Sequence, residues 1–217
     1  MITITDIDSV MQELSQSRPI FHSEADFQHA LAWLFHERYP DARVRLEVNP
    51  YKDGQRAYID ILLRIDGVFV PVELKYKTRT FNASYGDEDF HLLNQSAHPL
   101  GRYDFIKDIV RLERFAHIHP GSAGFAIFLS NDPAYWQVAK HAGKIDDKFR
   151  IHEGSTLTGS LGWGYTTGGT SSKRIKTLGL QNEYHLNWHN YSALEDSSSG
   201  QFRYLLLPII NQDITKP

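Results

Sequence analysis

The chain has no cysteine among its 217 residues, which excludes disulfide bonds and thiolate metal sites. It also has no apolar run long enough to cross a membrane. The first residues, Met1 to Asp6, contain neither the basic cluster nor the apolar segment of a secretory signal. Together these absences predict a cytoplasmic protein that does not associate with membranes.

Basic residues are not in surplus. The chain has 23 Lys and Arg against 26 Asp and Glu, which gives a formal net charge of −3. A nucleic-acid-binding protein often carries excess positive charge, so this balance argues against strong non-specific binding of DNA. It is compatible with a protein that concentrates its basic residues around one cleft. The apolar fraction of 41% is enough for a hydrophobic core.

A β-hairpin is predicted in the first half of the chain. Apolar residues alternate over residues 57–65 and again over 68–76, a pattern typical of strands. Asp66-Gly67 between the two runs is a strong signal for a two-residue hairpin turn. Because both strands are mostly apolar on both faces, we expect the hairpin to lie in the centre of a sheet.

Three charged residues stand at the open end of this hairpin. The turn position places Asp60 opposite Glu73, and Lys75 follows two residues later on the Glu73 face. Two facing carboxylates destabilise a sheet, but a divalent cation between them reverses that penalty because Mg²⁺ prefers carboxylate oxygen. The alternative is a solvated strand face, where Glu and Lys are common. Charges on a central hairpin need a partner, so we favour the catalytic interpretation.

Asp60, followed on the next strand by Glu73-Leu74-Lys75, resembles the motif of the PD-(D/E)XK nuclease superfamily. Ile59 stands where that motif often has a proline before the Asp. The resemblance covers about residues 20–130. It implies a restriction-endonuclease-like α/β fold, which is a three-layer core with a central mixed β-sheet flanked by helices.

The resemblance also implies a function. The chain would be a metal-dependent nuclease that hydrolyses phosphodiester bonds, with DNA as the expected substrate in restriction, repair or defence. Asp60, Glu73 and the Leu74 carbonyl would bind Mg²⁺ or Mn²⁺, and Lys75 would position the attacking water. Many relatives act as homodimers. The alternative is a non-catalytic nucleic-acid-binding or protein-interaction module on the same fold.

An auxiliary acidic residue on the first core helix is usual in this superfamily, and Glu24 is the candidate here. A carboxylate in the first turn also stabilises a helix through its dipole, so both interpretations of Glu24 stay open. Glu47, on a predicted strand, is a second candidate. Its alternative is an ordinary solvent-facing strand residue.

Basic residues suited to phosphate contacts follow the motif and recur later in the chain. Two continue the face of Lys75, one lies on a predicted helix, and two close or follow a Gly-, Ser- and Thr-rich segment, residues 153–173. That segment predicts a long mobile loop. These predicted nucleic-acid contacts are Lys77, Arg79, Arg111, Lys173 and Arg174. An ion pair with Asp104 or Asp108 is the alternative for Arg111.

Further patterns predict an alternation of helices and strands. Helices are expected over residues 5–16, 23–39 and 101–117, and strands over 43–48, 123–130 and 202–210. Residues 80–98 are predicted to form a loop or flap with a short helix near 90–95, and 135–141 another short helix. Residues 1–217 would then form one nuclease-like domain, with the last strand as an elaboration of its core.

Overall fold

The computed structural model describes residues 2–51, 57–164, 174–195 and 198–210. It is an α/β structure with a six-stranded mixed sheet. Its helices are α1 (Ile4–Ser17), α2 (Glu24–Arg38) and α3 (His98–Ile118). Its strands are β1 (Arg43–Val48), β2 (Ile59–Ile65), β3 (Val68–Lys77), β4 (Phe81–Tyr85), β5 (Glu88–Leu92), β6 (Ala123–Ser130), β7 (Thr156–Leu157), β8 (Ser160–Leu161), β9 (Leu178–Gly179), β10 (Tyr184–His185), β11 (Trp188–Ala193) and β12 (Gln201–Ile210).

The main sheet has the strand order β1-β2-β3-β6-β12-β11. Strands β3 and β6 run parallel, and the other neighbours in this sheet are antiparallel. Helix α3 makes the crossover between the two parallel strands, as a parallel pair requires. The chain order of helix, strand, hairpin, helix and strand matches the order that the sequence predicts.

The predicted hairpin is confirmed in its register. Ile65 pairs with Val68, and Ile61 with Val72, so the turn falls on Asp66-Gly67. Gly67 has a φ of +82°, a conformation that glycine adopts without strain. The ladder ends at the Ile61–Val72 pair, and the same register places Asp60 and Glu73 one position beyond it.

Both faces of the sheet are buried, each against its own helical layer. On β6, Phe125 and Ile127 pack into the core shared with α1 and α2. Their neighbours Ala126 and Phe128 pack into the second core, which α3 and the segment after β6 cover. Every residue of β6 is buried, in agreement with the nearly continuous apolar sequence of this strand.

Side chains cap the first two helices where the sequence predicts their starts. The Thr3 hydroxyl accepts a hydrogen bond from the Asp6 N–H, and the Asp6 carboxylate accepts one from the Thr3 N–H, which completes a capping box for α1. The Ser23 hydroxyl accepts a hydrogen bond from the Asp26 N–H at the start of α2. The predicted bounds of all three helices are confirmed within a few residues.

Two predicted short helices are wrong. Residues 80–98 contain the hairpin β4–β5 where a helix near 90–95 was expected. The hairpin forms because Phe81, Phe90 and Leu92 then bury their side chains against the main core, which a single helical turn could not achieve. Residues 135–141 form a turn followed by irregular chain, since the Asp132 carboxylate accepts the Ala134 N–H and closes a turn there.

The predicted long loop is partly structured. Its described portion contains β7, which pairs with β10, and β8, which pairs with β9. The remainder, residues 165–173 with the predicted contact Lys173, lies outside the described residues. Strand β11, which the sequence analysis missed, forms an edge of the sheet beside β12. No helix in the described ranges is long and apolar enough to cross a bilayer.

Candidate functional site

Four elements bring charged side chains together at one cleft of about 550 Å³. Strand β2 supplies Asp60 and strand β3 supplies Lys75 to the lining of the cleft. Glu73, one position before Leu74 on β3, lies behind them as a buried residue. Helices α2 and α3 add further charges from the two layers that cover the sheet.

Asp60 is fixed by hydrogen bonds on both its side chain and its backbone. Its Oδ2 accepts a hydrogen bond of 2.7 Å from the Leu74 N–H, which connects β2 to β3 beyond the end of their backbone pairing. Its carbonyl accepts a hydrogen bond of 2.7 Å from Gln28 Nε2 on α2. Burial raises the pKa of the Asp60 carboxyl, and the Lys75 ammonium and the Leu74 N–H oppose that rise.

Glu73 is the most buried charged group of the site, with 1% of its surface exposed. The Arg111 Nε atom lies 3.0 Å from Glu73 Oε1, but the geometry is not that of a hydrogen bond. Among the described residues, neither carboxylate oxygen has a partner with good hydrogen-bond geometry, although the Asp60 carboxyl lies close by. Burial raises the pKa of Glu73 well above its usual value, and the nearby Asp60 adds to the rise while Arg111 opposes it.

Lys75 lies between a carbonyl and two carboxylates. Its Nζ donates a hydrogen bond of 2.8 Å to the Leu74 carbonyl and lies 2.7 Å from Asp108 Oδ2. Glu24 Oε1 is further away, at 4.0 Å. The Lys75 side chain is 14% exposed, so its ammonium lies largely out of bulk water while it still lines the cleft.

Asp108 on α3 is a site residue that the sequence analysis did not identify as one. It forms ion pairs with Lys75 and with Arg111, one turn along the helix. The sequence does contain a signal: Phe105, Asp108, Ile109 and Leu112 share the spacing of one buried helix face. A carboxylate at a core-facing position of an amphipathic helix requires a charged partner.

The two candidate auxiliary acids both lie near the site. Glu24 Oε2 accepts a hydrogen bond of 2.8 Å from the Tyr76 N–H and lies 3.6 Å from Lys77 Nζ. Glu47 lines the cleft, has a φ of +52° and accepts a hydrogen bond of 2.9 Å from Gln28 Nε2. Glu24 and Glu47 therefore surround Asp60 with negative charge, which adds to the effect of burial on its pKa.

The predicted nucleic-acid contacts are dispersed by the fold. Lys77 lies near Lys75, since the ammonium groups of both residues are close to the Glu24 carboxylate. Arg79 lies past the end of β3 and lines a different groove. Arg174 forms a two-atom ion pair with Asp104, with both distances at 2.6 Å.

The oxygen ligands available for a cation are few. Among the described residues, no group of three or more histidine or acidic side chains is arranged to hold a metal ion. The candidate oxygen ligands on the two central strands are the side chains of Asp60 and Glu73 and the main-chain carbonyl of Leu74. The unsatisfied oxygens of Glu73 fit a cation, because a buried carboxylate without hydrogen bonds gains most from a positive charge.

Known proteins offer no guide to this site. Comparison of the chain with protein-family models, with curated proteins and with solved structures found no match in any of the three. What the cleft can do therefore has to be inferred from its own geometry and charge.

Proposed function

We propose that the chain is a metal-dependent nuclease of the PD-(D/E)XK type, acting on phosphodiester bonds of nucleic acid, with DNA as the expected substrate. The supporting observation is that Asp60 and Lys75, from two paired central strands, line one cleft, with Glu73 buried directly behind them. The order of helices and strands around that hairpin is also the order expected of a restriction-endonuclease-like core.

Asp60, Glu73 and the Leu74 carbonyl would hold Mg²⁺ or Mn²⁺. The Leu74 carbonyl accepts a hydrogen bond from the Lys75 ammonium and retains a second lone pair with which it could bind the metal ion. When bound, the ion lowers the pKa of a water ligand and stabilises charge on the phosphate in the transition state. Asp60 is held in place for this role by the Leu74 N–H and, through its backbone, by Gln28.

Lys75 would orient the attacking water and stabilise the charge that develops on the phosphate. Its ammonium is fixed between the Leu74 carbonyl and Asp108, which leaves it little freedom to rotate away. Preorganised donors in a partly dehydrated cleft contribute more than the same donors in water. Asp108 acts here as a positioning residue, since it touches Lys75 rather than the predicted metal ligands.

The lining of the cleft suits a polyanion despite the acidic balance of the whole chain. It includes five Lys and Arg residues against two carboxylates, a formal surplus of three positive charges. The five are Lys75, Lys107, Arg111, Arg114 and Lys176. The lining is therefore basic, although Glu73 and Asp108, buried behind it, offset part of this charge by pairing with Arg111 and Lys75.

Replacing Lys75 with Ala should lower the cleavage rate about 100- to 1,000-fold, because the transition state loses a preorganised donor. Labelled single- and double-stranded DNA and RNA, incubated with Mg²⁺ or Mn²⁺ and in parallel with EDTA, would show the activity and rank the substrates. Lys148→Ala is the matched control, since Lys148 is an exposed lysine that lines neither the cleft nor the groove around Arg79. Cleavage that Lys75→Ala leaves unchanged would contradict the proposed role.

A non-catalytic module is the second candidate, and one observation favours it. Arg111 lies beside Glu73, and Lys75 beside Asp108, so the carboxylates of the site already have positive neighbours. A chain that neither cuts any of these substrates nor binds Mg²⁺ or Mn²⁺ in calorimetry would support the module. Metal binding without cutting would point to a nuclease tested on the wrong substrate.

Replacing Asp108 with Asn should reduce the turnover number about 10- to 100-fold and leave KM nearly unchanged, because Lys75 loses the carboxylate that holds it. Asp108→Glu keeps the charge and should restore part of the rate. Steady-state cleavage kinetics of the two variants would separate the effects. Equal losses in both variants, matched by equal drops in Tm, would instead indicate a purely structural role.

A further inference from the structure

The structure contains a second and larger groove, of about 710 Å³, where α3 begins and β6 ends. We propose that this groove, named here the α3 groove, binds backbone phosphates of the nucleic acid beyond the bond that is cut. The residues that carry the argument are Arg79, His98, Arg102, Lys140, Lys144 and Arg150, all in its lining.

The charge of the α3 groove differs in sign from that of the whole chain. Its lining contains five Lys and Arg residues against the carboxylates of Asp132 and Asp146, a formal surplus of three positive charges. The complete chain has a net charge of −3. Positive charge concentrated in a concave surface attracts polyanions by focusing the field.

Part of this charge builds the groove itself. Arg102 is 3% exposed, donates to Asp146 Oδ2 at 2.7 Å and to the Ala134 carbonyl at 2.6 Å. Arg150 donates to the other oxygen of Asp146 at 3.2 Å. These contacts fix the segment after β6 against α3. They also neutralise the Asp146 carboxylate inside the wall of the groove.

The other three cations of the lining do not take part in bonds within the wall. Within the described ranges, the side chains of Arg79, Lys140 and Lys144 form no hydrogen bond and no ion pair. All three are exposed at the groove. Arg79 helps to lower the pKa of the nearby Asp132 carboxyl, but none of the three side chains has to break a hydrogen bond before it can contact phosphate.

The start of α3 adds a further positive contribution. Its N-cap, Ala97, makes no side-chain capping bond, and the first turn has no acidic residue. The first N–H groups of this 21-residue helix bond to the Ser96 and Ala97 carbonyls, so its contribution to the groove is the positive end of its dipole. His98 in the first turn is held by Asp132 at 2.6 Å.

The α3 groove adjoins the cleft along two independent elements. Arg79 follows Lys75 by four residues, which spans at most about 13 Å of extended chain. On α3, Arg102 precedes Asp108, the partner of Lys75, by six residues, or about 9 Å of helix. A strand of nucleic acid bound at the cleft would therefore reach the groove within a few nucleotides. The proposal that the groove binds nucleic acid rests on the proposed nuclease function. The proposal that it binds anions does not.

The test is binding of fluorescein-labelled single- and double-stranded DNA, followed by fluorescence anisotropy in EDTA so that no cleavage occurs. The variant carries Arg79→Ala, Lys140→Ala and Lys144→Ala. The control carries Arg43→Ala, Arg45→Ala and Lys148→Ala, which removes the same charge at exposed positions elsewhere. We expect the groove variant to bind about 10- to 100-fold more weakly, with a shallower dependence of affinity on salt, and the control to change less than about 3-fold.

Each result decides the matter. DNA binding that is absent in the unmodified chain, or equal in the groove variant and the control, would overturn the proposal. In a parallel titration with inorganic phosphate, binding that the groove variant loses while its DNA binding stays unchanged would assign the groove to free phosphate and overturn the polymer as ligand. Groove-dependent binding by a chain that neither cleaves nor binds Mg²⁺ or Mn²⁺ would overturn the nuclease alone. Cleavage of DNA whose binding does not depend on the groove would overturn the groove alone.

Discussion

Replacing Glu73 with Gln is expected to abolish metal-dependent cleavage and, at pH 7, to make the folded chain more stable. The carboxyl is buried without hydrogen bonds, and its pKa lies well above the usual value because burial disfavours the charged form. The folded state therefore binds its proton more tightly than the unfolded state does. Stability then falls as pH rises from the ordinary Glu pKa through the raised one, and Gln removes that fall.

The expected gain is about 1 to 2 kcal/mol, or about 2 to 8 °C in Tm for a chain of this size. Arg111 keeps Asp108 as a partner, so the substitution does not leave its guanidinium unpaired. Calorimetric scans at pH 5 and pH 8 in EDTA would show the gain only at the higher pH. Mg²⁺ should raise the Tm of the unmodified chain and not of the variant.

Glu37→Gln, at an exposed position of α2, is the matched control and should change Tm little at either pH. A Glu73→Gln variant that is less stable than the unmodified chain at pH 8 would show that attraction to Arg111 outweighs the cost of burial. The proposed origin of the raised pKa would then be wrong.

The largest loss of stability is expected from Glu113→Ala. Glu113 on α3 is buried and accepts hydrogen bonds from the Gln181 N–H at 3.0 Å and the Asn182 N–H at 2.9 Å. It also accepts bonds from the Asn182 side chain and the Tyr184 hydroxyl. One carboxylate thus fixes the segment after β9, next to residues 176–179 of the cleft wall.

Removing this acceptor leaves several donors without a charged partner, which should cost about 3 to 5 kcal/mol. Tm should fall by about 6 to 20 °C, and amide hydrogen exchange should rise over residues 178–185. Glu183→Ala is the control, because Glu183 is in the same segment and, among the residues that the structure describes, forms an ion pair with His185 at the surface. Equal losses in the two variants would show that the segment is not held through Glu113.

The hairpin that carries the site could be predicted because its turn and its alternation specify the same register. A two-residue turn at Asp66-Gly67 fixes every pair of the ladder, and that register places Asp60 beside Glu73. Strand β6 was equally clear because residues 123–129 contain no polar side chain, which suits a strand buried on both faces.

The missed features depend on contacts between distant parts of the chain. Strand β11 alternates weakly because it lies at the sheet edge, and its pairing with β12 exists only in the folded chain. Arg79 has the right parity to share the face of Lys75, but β3 ends at Lys77 and the chain then turns into another groove. The sequence offered Asp108 only as an ion-pair partner of Arg111, because its contact with Lys75 joins residues that are far apart in the chain.

The position of β6 in the sheet has a consequence for synthesis of the protein. Its neighbour β3 precedes it in the chain, but β12, on its other side, begins at Gln201, about 70 residues after Ser130. At about 5 to 20 residues per second, a ribosome needs about 4 to 14 s to make that interval. During this time a strand that is fully buried in the folded chain has one unpaired edge, which is open to strands of other nascent chains. We therefore expect chaperones to bind the emerging chain until β12 has been made.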